Sequence, residues 1–77
     1  MEKLNLVKNT FDQLPNNIEA EQAVLGSILV SNDIFDDVSP IINSNNFFDP
    51  MHQKIYIAIE KLIFSGMLAN PITLKNY

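Results

Sequence analysis

Between Ile18 and Val30 the apolar residues Ile18, Val24, Leu25, Ile28 and Leu29 return on one face of a wheel of about 100° per residue. That spacing predicts an α-helix. Asn16 and Asn17 both suit its N-cap, and Asn16 with Glu19 has capping-box spacing. Glu19 and Glu21 fall where the helix dipole is positive. Gly26 lies on the opposite side, inside the helix. It costs about 1 kcal/mol there relative to alanine, and a close packing contact would account for it.

Ser31-Asn32-Asp33 breaks the first helix and can cap a second. Ile34, Phe35 and Val38, then Ile41 and Ile42, continue a helical pattern, with Asp33, Asp36 and Asp37 on the other side. Pro40 interrupts it: either the helix kinks, or Ser39 caps a fresh turn with Pro40 at its first position. Residues 43–46 read as a loop, and Phe47-Phe48 as a plug for the core. Asp49-Pro50 is a strong start signal for a third helix, from about Pro50 to Ser65, with Gly66 as its stop. Asn70-Pro71 makes a turn, and Thr73 reads as the N-cap of a fourth helix.

Residues 1–15 show no sustained period and end in Pro15, so they read as a mobile leader before a helical unit over 16–77. Leu4, Leu6, Val7 and Phe11 there form an amphipathic turn only if a partner surface covers them. The last helix has barely begun when the chain reaches Tyr77, which predicts a fragment of a larger domain.

A chain of 77 residues forms one domain or part of one. Hydrophobic residues make up 47%, which supports a small core and is too high for a disordered tail. The chain has no cysteine, so neither a disulfide nor a thiolate zinc site is available. Nine acids oppose five bases, and all five bases are lysine. An acidic chain without arginine lacks the bidentate forks that grip phosphates, so it is a poor binder of nucleic acid by itself. Apolar runs reach only four or five residues, against roughly 20 for a membrane span. The N-terminus has no signal-peptide stretch, which makes the default location cytoplasmic.

Catalytic motifs are missing. The only glycines are Gly26 and Gly66, so no phosphate loop is spelled, nor a GxSxG elbow, an HExxH pair or an EF-hand loop. His52 is the only histidine; with Asp49 it offers two metal ligands where zinc takes three or four. It reads as a first-turn histidine bonded to backbone or carboxylate. Asp36-Asp37 and Glu19-x-Glu21 resemble acid/base pairs, but acids at helix starts and on solvated faces mostly just solvate.

Two features are less ordinary. Glu21 lies between Leu25 and Ile28, within the apolar arc. It reaches the free amides of its own helix start, pairs with His52, or is exposed where the helix end frays. On the third helix, Gln53, Lys54, Glu60 and Lys61 form a polar stripe, while Ile55, Ile59, Leu62 and Ile63 suffice for the core. Ile57 and Phe64 fall inside the polar stripe, seven residues apart. They mark a contact surface for another chain or for a missing C-terminal part, unless they are scattered surface residues of the usual kind.

The run Leu14-Pro15-Asn16-Asn17-Ile18-Glu19-Ala20-Glu21-Gln22-Ala23-Val24-Leu25-Gly26 resembles the opening of the N-terminal domain of DnaB-type replicative DNA helicases. The similarity continues in order through Asp36-Asp37-Val38, Asn46-Phe47-Phe48, Pro50-x-His52, Ile55, Ile59, Gly66 and Pro71-Ile72-x-Leu74. Two departures stand out: Ile57 and Phe64 occupy positions where relatives often carry polar residues, and the connection before Thr73 is shortened.

The resemblance implies an all-α fold, a small orthogonal multi-helical bundle that forms the head of the domain, truncated before the helical hairpin. It implies self-association with other helicase subunits in a collar that docks the primase. ATP and Mg²⁺ would belong only to an absent C-terminal motor domain, so this fragment is not itself an enzyme and carries no cofactor. The hairpin supplies part of the usual dimer and primase-binding surface. The competing expectation is a free-standing helical adaptor, or a helicase-like remnant with another partner. A small enzyme or nucleic-acid binder is a third.

Overall fold

In a computed structural model, residues 17–77 are described, and they form four α-helices and one 3₁₀ turn. The leader predicted over 1–15, together with Asn16, lies outside the described residues. Helix α1 runs Ile18–Val30, α2 Asp33–Val38, α3 Pro50–Phe64 and α4 Pro71–Lys75; the 3₁₀ turn is Ser44–Asn46. Among the described residues there is no strand, in keeping with an all-α domain.

Each of the two long helices, and α4, starts at a side chain that the sequence supplies. Asn17 is the N-cap of α1 and accepts from the Ala20 amide at 2.9 Å, so the cap lies one residue beyond the capping-box register of Asn16. Asp49 caps α3, accepting from the Met51 amide at 2.8 Å, with Pro50 at the first position where its missing N–H costs nothing. At the far end Gly66 takes φ 79°, the left-handed region that favours glycine. Its amide donates to Ile63 and the Met67 amide donates to Leu62, which closes a Schellman stop.

Four expectations are corrected. Thr73 does not cap α4: Asn70 does, accepting from the amides of Ile72 and Thr73, while the Thr73 hydroxyl accepts from the Asn70 amide. The two form a reciprocal box, so Thr73 is the third residue of the helix. Pro40 neither kinks a helix nor starts one. Helix α2 ends at Val38, and the amides of Ile41 and Ile42 both donate to the Val38 carbonyl in a tight turn. Residues 44–46 are a 3₁₀ turn boxed by Asn43 and Asn46 rather than an open loop. Gly26 faces open space: nothing among the described residues comes within 4 Å of where a methyl would sit, so no close packing contact explains it there.

The core is built from Val24, Leu25, Ile28, Phe35, Val38, Ile42, Phe47, Tyr56, Ile59, Leu62 and Ala69. Of the two phenylalanines expected to plug it, only Phe47 does; Phe48 is 58% exposed. The residue after Phe47 must point elsewhere because the chain is extended there on its way to the α3 cap. Tyr56 stands at the centre, fully buried. Its ring centroid lies 5.9 Å from that of Phe35 and 5.1 Å from that of Phe47, and its hydroxyl donates to the Ile42 carbonyl at 2.8 Å.

Candidate functional site

Two places carry more than packing. The first joins the starts of α1 and α3. Glu21, one turn into α1, is 1% exposed because its helix turns that face inward along with Val24, Leu25 and Ile28. Its Oε2 accepts from the Phe48 amide at 2.6 Å, and its Oε1 from the Asp49 amide at 3.3 Å. The Nδ1 of His52 lies 2.7 Å from the same Oε1. A carboxylate oxygen that already receives an amide is an acceptor, so the network assigns the hydrogen to Nδ1. Of the readings open for Glu21, the pair with His52 is therefore the one observed. The amides it satisfies belong to the approach to α3, not to its own helix, and its charge sits near the positive end of the α3 dipole. The Phe47 ring meets the imidazole edge-on at 6.5 Å, and the Gln53 amide donates to the Phe47 carbonyl at 2.6 Å.

A carboxylate beside an imidazole is also the beginning of an acid/base pair, but here both groups are buried against backbone and the Phe47 ring. Among the described residues no three His, Cys, Asp or Glu side chains gather to hold a metal ion. Glu19 is exposed while Glu21 is buried, so the Glu19-x-Glu21 pair is split between solvent and core. Asp36 and Asp37 both face solvent on α2.

The second place is the outer face of α3. The core face carries His52, Tyr56, Ile59 and Leu62. Ile57 is 38% exposed and Phe64 is 76% exposed, with Lys54 and Lys61 exposed beside them. Phe64 packs against the domain through its ring, which meets that of Phe35 edge-on at 5.8 Å. Beyond it, Met67, Leu68, Ile72 and Tyr77 are exposed as well. A shallow groove of about 290 Å³ opens between α3 and α4, lined by Lys61, Leu62, Ser65, Met67, Thr73, Asn76 and Tyr77. The Thr73 hydroxyl in it is already bonded to the carbonyls of Leu68 and Asn70.

Two residues that hold the fold carry no clear signal in the sequence pattern. The hydroxyl of Tyr56 disguises it as a surface residue, although it lies one turn from both His52 and Ile59 on the core face. Asn32 reads in the sequence only as a breaker. Its amide nitrogen donates to the carbonyls of Ile28 and Ala69, and its oxygen accepts from the Ala69 amide, so it clamps the end of α1 to the segment before α4.

Comparison with known proteins bears directly on these features. The family model of the DnaB-like helicase N-terminal domain matches residues 13–77. The chain belongs to that family. It is 44% identical to the replicative DNA helicase DnaB of Rickettsia typhi, over 95% of this chain and 16% of that protein. It is 51% identical to the replicative DNA helicase DnaB of Rickettsia felis, over 82% of the chain and 13% of the relative. The corresponding protein of Mycobacterium leprae is 41% identical, over 79% of the chain and 10% of the relative. No solved structure matches. The chain thus spans about a sixth or less of the length of these helicases. In helicase-domain terms, the Glu19-Ala20-Glu21-Gln22 run and the Pro50-x-His52 passage, far apart in sequence, meet in one hydrogen-bonded clasp. Their pairing holds the two long helices of the domain together. Among the described residues no helix is long and apolar enough to cross a membrane.

Proposed function

We propose that this chain serves as the non-catalytic head of a replicative helicase N-terminal domain, assembling with other helicase subunits into a collar and helping to dock the primase. The match to the DnaB-like N-terminal domain over residues 13–77 carries this reading. The outer face of α3 supports it, because Ile57 and Phe64 leave apolar surface open on an otherwise polar stripe. On this reading Ile57 and Phe64 are partner-contact residues. ATP and Mg²⁺ act elsewhere, in a motor domain. The 77 residues spell no phosphate loop, and the carboxylate beside His52 is consumed by internal hydrogen bonds.

The test is light scattering on the purified chain in two mixtures, one with the C-terminal domain of a cognate primase and one with a full-length helicase of the family. A rise in mass in either mixture, lost in the Ile57→Glu and Phe64→Glu double variant, is expected. No rise in either mixture would overturn the reading. A rise that the double variant leaves unchanged would remove Ile57 and Phe64 from the contact surface.

A further inference from the structure

Asn32 stands where α2 would take its N-cap, yet its side chain makes no capping bond there. It is turned across the molecule instead. Its Nδ2 donates to the Ala69 carbonyl at 2.8 Å, and its Oδ1 accepts from the Ala69 amide at 2.9 Å. The same Nδ2 donates to the Ile28 carbonyl at 2.8 Å. One side-chain amide thus pairs with both backbone groups of one residue, much as a paired β-strand would. Ala69 is fully buried, so in the closed state water does not replace those bonds.

The segment held in this way has little else to hold it. Helix α4 has five residues and buries none of them. A helix that short does not persist by itself in water. The box of Asn70 and Thr73 ties α4 only to its own start, and Leu74 packs against the core while only partly buried. The Met67 amide bonds to Leu62 at the end of α3. Among the described residues, the hydrogen bonds that join residues 67–77 to anything before α3 are the two made with Asn32.

We infer that residues 67–77 form a strap that opens and closes as a unit, and that Asn32 is the positioning residue that latches it. Opening breaks both Ala69 bonds and lifts Ala69 and Leu74 off the core. The clasp of Glu21 and His52 and the rings of Phe35, Tyr56 and Phe47 are made by other segments and stay closed. The strap therefore opens at a lower free energy than the whole domain unfolds. Only the consequence of this motion rests on the proposed function. The chain spans 16% of the Rickettsia typhi helicase, and on that reading the rest of a subunit follows α4. The latch then sets how the head is held against the remainder of its own subunit.

Residue-resolved amide hydrogen exchange of the chain, over a series of low urea concentrations, tests the latch. The Ala69 amide is bonded to Asn32 and the Leu74 amide to the Asn70 carbonyl. Both should exchange faster than the amides of Tyr56 and Ile59, and with a weaker dependence on urea, because the open strap exposes little surface. Asn32→Ala should speed exchange at Ala69 and Leu74 about tenfold or more. It removes no cap from α2, and its far-ultraviolet circular dichroism should keep the shape of the parent's. Glu21→Gln should speed Tyr56 and Ile59 and leave Ala69 and Leu74 nearly unchanged, because the clasp survives strap opening. The urea series on the parent needs no variant, so the inference stays testable if Asn32→Ala does not fold. Exchange at Ala69 and Leu74 in step with Tyr56 and Ile59, across urea or in Glu21→Gln, would overturn the strap. Unchanged exchange at Ala69 in Asn32→Ala would overturn the latch, and an effect there that does not reach Leu74 would overturn the single unit. A latched strap in a chain that joins neither primase nor helicase keeps this inference and loses the proposed function; a chain that binds them with no separate strap does the reverse.

Discussion

Glu21 shows what a single side chain can hold together. Its two oxygens accept three donors from the start of another helix, and all of this happens out of water. Replacing it with glutamine keeps the shape but turns one acceptor into a donor that faces N–H groups. Bonds of this kind are worth about 1.5–3 kcal/mol, and a buried donor left unpaired adds to the loss. Glu21→Gln should therefore lower the urea midpoint by an amount corresponding to about 2–3 kcal/mol without changing the slope. An unchanged midpoint would mean that the clasp contributes nothing. The pairing with His52 is legible in the sequence because an acid inside an apolar arc needs a partner and the chain has only one histidine. The amides of Phe48 and Asp49 are not legible, because a backbone donor leaves no mark in the order of residues.

At the level of elements, starts and stops are the most readable features. Asp49-Pro50 and Gly66 bound α3 as their chemistry requires, and α1 begins within a residue of its expected cap. The pattern misleads where two signals overlap. Asn70 and Thr73 are both good caps three residues apart, and only their reciprocal bonding shows which one starts the helix. Phe47 and Phe48 are alike in composition, and a two-residue run carries no phase to say which side faces inward. Ile57 and Phe64 are legible as exposed because they share the wheel with lysines; what covers them is not written in one chain. Gly26 offers a direct check of the α1 assignment. With no neighbour near its missing methyl, Gly26→Ala adds helix propensity and meets no clash. Stability should rise by about 1 kcal/mol, seen as a melting temperature about 4–8 °C higher by circular dichroism. A lower melting temperature would reveal something packed on that face.

At the scale of the whole molecule, the three-ring stack of Phe35, Tyr56 and Phe47 ties α2, α3 and the approach to α3 into one unit, and Asn32 adds the segment before α4. A core this small concentrates its dependence on one residue. Burial, and secondarily the charge of Glu60, push the Tyr56 phenol from its ordinary value of 10.0 up to about 12. Folding therefore favours the protonated phenol. In the unfolded chain it ionises near pH 10, in the folded one near 12, so the unfolded state loses its proton first. The contribution of Tyr56 is complete below pH 10 and is lost as pH rises from 10 toward 12, with a slope of up to about 1.4 kcal/mol per pH unit. Tyr56→Phe gives up the bond to the Ile42 carbonyl and should be less stable by about 1 kcal/mol at about pH 7. Having no phenol to ionise, it should lose less stability than the parent across that alkaline window, so the two stability curves converge above pH 10 and cross before pH 12. Parallel curves from about pH 9 to 12 would show that Tyr56 is not buried at the centre of the fold.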